Sequence, residues 1–395
     1  MTRSIQVPIT GEVLDWAIKE GGFTVSSFAE RVGLDADTVR AWIAETERPS
    51  KTQFVAIVDT LRRPSAMFFL PEPPTQTALP PKFRKAPGPH PRNVTPYERI
   101  EIRWGLGLQD IARDLLAELE HEPVEFPQVG PKEHAAEAAA RLRSFLAIPG
   151  EVERKWKDPQ AAFNGLKRAL EDHDVFVFQM QLTPRKTSKK ASEPGIRGFS
   201  AWDDLAPVIA VNTSYSSAAK LFSLAHEAAH LVARSDSSCY GFSGPGSATD
   251  PGTEKWCELF AASLLLPEST VDDVMSGFGY SRDGSLLDAG EVARIAERLH
   301  VSIRAMALRL IDLKYAPTAL YGVVEQAFPL SEYKHGKSFG PSRDRIGKRI
   351  AEAGPRLSEL LVVGLKRKSL SLRDSAGYLR VHPSEMRSLE SRLQG

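Results

Sequence analysis

Between residues 10 and 62 the apolar positions recur at helical spacing in short bursts separated by Gly22, Gly33 and the Arg48-Pro49-Ser50 turn, which predicts several short helices. Proline then takes over. Pro71, Pro73, Pro74, Pro80, Pro81, Pro87, Pro89, Pro91 and Pro96 are incompatible with helix interiors and predict an extended connector, hence a domain boundary, across residues 71 to 96. Helical periodicity returns over 97 to 120 (Ile102, Leu106, Leu108, Ile111, Leu115, Leu116) and over 133 to 147, ending near Leu146. Asp174 to Met180 and Pro207 to Asn212 are β-branched and aromatic, so two strands of a small sheet are expected there. The polar stretch Thr183 to Pro194, with Lys186, Lys189 and Lys190, reads as a mobile surface loop. Ser214 to Arg234, rich in Ala, Leu, Phe and Val, predicts a helix buried on most sides.

A chain of 395 residues, 42% hydrophobic and 26% charged, has room for two or three globular domains. Its opening lacks an apolar core of signal-peptide length, and no run of about 18 apolar residues occurs, so a cytoplasmic protein without a membrane partner is expected. Cys239 and Cys257 are too few for a disulfide scaffold, which agrees with a reducing compartment. The net charge of +1 decides nothing about nucleic acid, but its distribution is uneven. Residues 1 to 64 carry a balance of −1, and residues 331 to 395 carry 14 Lys/Arg against 7 Asp/Glu.

Inside the apolar helix stands His226-Glu227-Ala228-Ala229-His230. Residues four apart share a helix face, so both imidazoles can reach one ion, and Glu227, about 100° further round, can hold a water on it. With nine histidines in the chain, this pattern arises by chance on the order of once in a hundred such sequences. Two core histidines bonded to backbone carbonyls would be the structural alternative. That alternative leaves an unpaired carboxylate in an apolar helix, which costs several kcal/mol. A catalytic zinc usually takes three protein ligands and keeps one open position. The next helical segment, Glu254 to Pro267, offers Glu254, Cys257 and Glu258 on one face, and any of them could complete the set.

Glu254-x-x-Cys257-x-x-Phe260-Ala261-Ala262-x-Leu264-Leu265-x-Pro267 behind a HExxH helix resembles the ImmA/IrrE-type metallopeptidases, a gluzincin-like arrangement. The likeness extends to Pro207–Asn212 and to Phe222–Ala225, with Lys220 where arginine is common, and it is good over roughly 195 to 270. The resemblance implies Zn2+ held by His226, His230 and Glu254, with Glu227 as the catalytic base. Glu258 stands where that family usually has asparagine, which gives it the role of a partner to a zinc-bound histidine. The Val208 to Asn212 strand is expected to add an extended substrate to the sheet edge. Tyr240 is the candidate oxyanion stabiliser.

Near the N-terminus, Ala29, Gly33, Val39 and Trp42 have the spacing of a helix, a tight turn and a second helix, and the stretch resembles XRE-type helix-turn-helix domains. Thr38, Arg40 and Lys51 are the candidate DNA contacts. Asp35 and Asp37 at the start of the presumed recognition helix, in a module of net negative charge, favour a protein partner as the alternative. At the other end, Lys366-Arg367-Lys368 precedes a short helical pattern like a second DNA-binding unit, with a solvated basic face as the plainer reading.

The expected protein is therefore α+β and mostly helical. It comprises a helix-turn-helix domain over 1–75, a Pro-rich linker over 76–96, a zincin-like metallopeptidase domain with a small sheet over 97–325 and a basic helical region over 326–395. The resemblance implies cleavage of a transcriptional repressor or antitoxin-like protein, with DNA as a further partner. The rival is a DNA-binding regulator or antitoxin whose zinc is structural or sensory.

Overall fold

Two units emerge from the computed structural model, residues 1–79 with 90–104 and residues 80–89 with 105–395. The residues described are 5–74, 94–148, 156–182, 196–234, 251–282, 287–328 and 344–393. The expected loop Thr183 to Pro194, Tyr240, Cys239 and most of the proline-rich connector lie outside them.

In the first unit the predicted short helices are α1 (Gly11–Glu20), α2 (Val25–Val32), α3 (Ala36–Ile43) and α4 (Lys51–Leu61). Each break has a local cause. Thr24 and Ser27 form a reciprocal cap on α2, the Asp35 side chain accepts from Thr38 N on α3, and Ser50 and Gln53 cap α4. Gly33 ends α2 at φ 74°, a left-handed conformation that a side chain would strain. At Gly11 a Cβ would lie 2.1 Å from Ile43 O, so glycine lets α1 close on the end of α3. Val13, Leu14, Ile18, Phe28, Val39, Trp42, Ile57, Leu61 and Phe68 form the core, each large side chain contributing roughly 1.5–3 kcal/mol by burial.

Helix α5 (Pro96–Glu118) starts on its proline, and the division between the units falls within it, after Trp104. The second unit continues with α6 (Ala135–Phe145), α7 (Pro159–Glu171), β1 (Phe176–Met180), β2 (Gly198–Ala201), β3 (Val208–Asn212) and α8 (Ser217–Ala233). Strand order is β1-β3-β2, with β1 parallel and β2 antiparallel to β3. One face of the sheet carries the later part of α5. A Cβ on Gly105 would lie 2.8 Å from the Phe199 ring, and Gln109 Nε2 donates to Ala201 O and Ala206 O at 3.1 and 2.9 Å. The other face carries α8, and with both faces covered every residue of β3 is buried. That is why the sequence there is continuously apolar rather than alternating.

The expectation that β3 offers a free edge to substrate is corrected here. β3 is the central strand, hydrogen-bonded on both sides, because the four-residue strand β2 pairs with it from Gly198↔Val211 to Ala201↔Val208. On the far side of β1, the helix Arg345–Ala353 packs along the outer edge.

Helices α9 (Pro251–Leu265), α10 (Glu268–Gly277), α11 (Ala289–Arg298), α12 (Ile303–Asp312) and α13 (Leu320–Ala327) follow. The last four share a separate core of Val271, Met275, Val292, Ile295, Met306, Leu310 and Val324. The basic C-terminal region folds as α14 (Arg345–Ala353), α15 (Pro355–Arg367), α16 (Leu372–Tyr378) and α17 (Met386–Leu393). Gln179 Nε2 of β1 donates to Ala351 O of α14 at 3.0 Å. Several cations of this region are engaged: Arg356 pairs with Asp174 at 2.5 Å, Lys366 with Glu390 at 2.7 Å, and Arg349 with Glu352 at 2.5 Å. No helix among the described residues is long and apolar enough to cross a membrane.

Candidate metal centre

Helix α8 starts where the Ser216 side chain accepts from Ala219 N at 3.3 Å, and its residues from Ala219 to Ala233 are all buried. It stops at Arg234, held at φ 42°. That left-handed residue is secured by its guanidinium, which stacks 3.1 Å from the Trp202 ring centroid and donates to Phe126 O at 3.2 Å. Lys220, within the same helix, lies over Phe163 of α7 at 4.8 Å and donates to Gln160 Oε1 at 3.3 Å. Helix α9 crosses α8 and is tied to the rest of the unit by Trp256 Nε1, which donates to Glu133 O at 2.8 Å, and by Arg143 Nη1 on Leu264 O at 2.6 Å.

These two helices bring three predicted residues together. His226 Nε2 and His230 Nε2 are 3.1 Å apart, His226 Nε2 is 3.3 Å from Glu254 Oε2, and His230 Nε2 is 3.5 Å from Glu254 Oε1. Among the described residues this is the group of His, Cys, Asp and Glu side chains close enough to share an ion. The donors fit zinc closely. Metal–ligand bonds of about 2.0–2.1 Å in a tetrahedral site separate the ligand atoms by about 3.3–3.4 Å, and the separations here, 3.1 to 3.5 Å, bracket that value.

Cys257 takes a different position from Glu254. Its buried Sγ lies 3.6 Å from His230 Nδ1, the nitrogen turned away from Glu254, so it backs the ring rather than joining the converging set. Glu258 is the next residue on α9 and is half-buried.

Glu227 is buried on the face of α8 toward β2. Its Oε2 accepts from Ser200 Oγ at 2.9 Å, and Gly198 makes room beside it. A Cβ on Gly198 would stand 2.5 Å from Ala210 O and 3.4 Å from Glu227 Cγ and Oε1. Neither β2 nor the supporting roles of Ser200 and Cys257 were anticipated from the sequence. A four-residue strand gives too short an alternation to register, and a buried cysteine looks the same whether it packs or orients a ligand. Asn212, at the end of β3, is fully buried and links three segments through Ile196 O at 2.7 Å, Ser214 N at 3.0 Å and Leu182 N at 3.3 Å.

The candidate DNA contacts belong to the first unit. Thr38 donates through its hydroxyl to Asp35 Oδ2 at 2.8 Å, the exposed Arg40 is paired with Asp37 at 2.5 Å, and Lys51 is exposed at the start of α4.

Residues 170–310 match the family of the IrrE N-terminal-like domain, a peptidase family. The matched span runs from the end of α7 to α12 and contains the sheet and all four residues His226, Glu227, His230 and Glu254. The match supports a metallopeptidase of the ImmA/IrrE type in this part of the chain. No curated protein matches the chain.

Proposed function

We propose that the protein is a zinc-dependent endopeptidase in which His226, His230 and Glu254 hold the metal and Glu227 is the general base. The observation that carries this reading is the convergence of two imidazole Nε2 atoms and one carboxylate at 3.1–3.5 Å, with Glu227 one residue from the first ligand and held by Ser200. Zinc bound there would supply Lewis acidity toward the scissile carbonyl and the attacking water. Glu227 takes the proton of that water and returns it to the leaving amine, so the bond is broken without a charged amide fragment. Ser200 holds Oε2 so that the carboxylate is in place before substrate arrives, and Cys257 and Glu258 orient the ligand set from behind. The outer strand β2, next to Glu227, is the element along which an extended peptide would lie.

The substrate class we favour is a folded regulatory protein, a transcriptional repressor or an antitoxin-like partner recognised by the N-terminal helices. Pairing of Thr38 with Asp35 and of Arg40 with Asp37 favours a protein surface over DNA for α3. The rival reading is a regulator, or antitoxin, whose zinc is structural. The two separate in a proteome-derived peptide library analysed by mass spectrometry for new N-termini. The peptidase reading predicts cleavage by zinc-loaded wild type and its loss, by a factor of roughly 10² or more, in Glu227→Gln with zinc still bound. Equal cleavage by both proteins, or none by either against the library and candidate regulators, would favour the rival.

A further inference from the structure

The second unit ends on an arrangement that repeats, at matched spacing, one found in the first. In the first unit α2 is capped by Thr24, which accepts from Ser27 N, and after Ala29 the chain turns through Gly33 and Leu34 into α3, with Gly33 N and Leu34 N donating to Glu30 O and Ala29 O at 3.2 and 2.9 Å. In the second unit α16 is capped by Ser371, which accepts from Asp374 N, and after Ala376 the chain turns through Arg380, at φ 52°, and Val381, whose N–H groups donate to Gly377 O and Ala376 O at 3.0 Å each. The turn ends at His382, and the short helical turn Pro383–Glu385 leads into α17. Val39 and Trp42 of α3, and Met386 and Leu389 of α17, stand at the same distance along the chain from these turns, and all four are buried. Two helices joined by a tight turn, the second held by its apolar face, is the geometry that lays a helix in the major groove of a duplex.

The two copies differ in charge. At α3, Asp37 takes Arg40 at 2.5 Å. The matching positions at α17 are Ser384 and Arg387, and with the acid gone Arg387 is exposed and without an ion pair among the described residues. Ser384, Ser388 and Ser391, about one turn away along the same helix face, are exposed hydroxyls able both to donate and to accept. Arg373 in the first turn of α16, and Arg367 and Lys368 at the end of α15, are exposed and unpaired in the same way. Residues 366 to 392 hold seven Lys/Arg against three Asp/Glu, and each acid has a local partner. Asp374 accepts from Ser371 Oγ at 2.6 Å, Glu385 from His382 N at 2.7 Å, and Glu390 pairs with Lys366 at 2.7 Å. We propose that α16 and α17 form a duplex-DNA-binding face, with Ser384, Arg387, Ser388 and Ser391 toward base edges in the major groove and Arg367, Lys368 and Arg373 on phosphates. α17 carries no aromatic side chain on which an unpaired base could stack, so the face suits a duplex better than a single strand. This inference does not depend on the peptidase reading, and it assigns DNA to the C-terminal helices rather than to α3.

The test is fluorescence anisotropy of a labelled random-sequence duplex of about 30 base pairs, titrated with the full chain to about 100 µM, a span that covers non-specific affinities. Saturable binding is expected. Three phosphate contacts give a slope of about −2.7 for log affinity against log salt, hence a weakening of about 40-fold between about 50 and 200 mM. Arg373→Gln should reduce that slope by about one. Ser384→Asp, which restores the acid that holds Arg40 in the first unit, should weaken binding at least ~tenfold, as should Arg387→Gln, whereas Arg40→Gln should leave it unchanged. All four positions are exposed, and melting at the wild-type temperature shows that the fold is intact. No saturable binding at the lower salt, or binding that Ser384→Asp and Arg387→Gln leave at wild-type strength, would overturn the proposal. Loss of binding in Arg40→Gln alone would also overturn it and move DNA to the first unit. Displacement of the duplex by anionic phospholipid vesicles but not by unlabelled duplex would overturn it in favour of a membrane surface.

Discussion

Replacing Gly198 by alanine tests how tightly β2 and α8 enclose the base. The new Cβ would lie 2.5 Å from Ala210 O, a backbone atom of the central strand, against an ordinary contact of about 3.3 Å. The obstacle is backbone, so β2 must move by roughly 0.8 Å, and Ser200, two residues along, moves with it. Overpacking of this kind costs about 1–3 kcal/mol. For a unit of this size, thermal unfolding should then fall by roughly 2–4 °C for each kcal/mol. The Ser200 Oγ to Glu227 Oε2 bond, now 2.9 Å, would lengthen or break, and displacing a catalytic group by about 1 Å costs on the order of 10² in rate. The metal ligands come from α8 and α9, so zinc content should stay at the wild-type value. Thermal melting, elemental analysis and peptide-library cleavage on the same preparation read the three effects separately. A Gly198→Ala protein that melts and cleaves like wild type would refute this account of how the base is held.

Cys257→Ala removes the group behind His230 Nδ1 and should weaken zinc about tenfold or more while leaving the fold intact, as competition with a chromophoric chelator would measure; unchanged affinity would make Cys257 mere packing. Asp272 accepts from Arg282 at 2.5 Å and from Tyr315 Oη at 2.8 Å, and its hydrogen bond from Arg282 holds its carboxyl below the usual carboxylate range. A depressed carboxyl contributes stability above its unfolded value, about 3.9, that is lost as pH falls through the folded value. The melting temperature of Asp272→Asn should therefore lie below wild type at pH 7 and converge with it in acid, and a gap independent of pH would contradict the assignment. Ser200→Ala leaves Glu227 without one donor and should lower cleavage with little change in zinc content; an equal loss of both would place Ser200 in the metal site instead.

Much of this architecture was readable from local pattern. The breaks at Gly22, Gly33 and Pro49 delimit the first four helices because caps and left-handed turns are set by adjacent residues. The His226/His230 pair was readable for the same reason, since i and i+4 meet on one helix without help from the rest of the chain. What lay beyond the sequence is what depends on distant segments. Whether Glu254, Cys257 or Glu258 faces Nε2 is fixed by how α9 crosses α8, and residue spacing alone left all three open until a family likeness favoured Glu254. β3 resembled an edge strand because its partner β2 is four residues long, and the edge expectation failed on that strand. In the basic C-terminal region Arg356 reaches Asp174, 182 positions earlier, a pair that only the fold brings together.

Zinc content tests the central claim most directly. Elemental analysis of purified, metal-replete wild type beside His226→Ala and Glu254→Ala should find about one zinc per wild-type chain, and little or none in either variant. Wild type without metal, or a Glu254→Ala protein that retains it at full strength, would contradict the ligand set on which the mechanism stands.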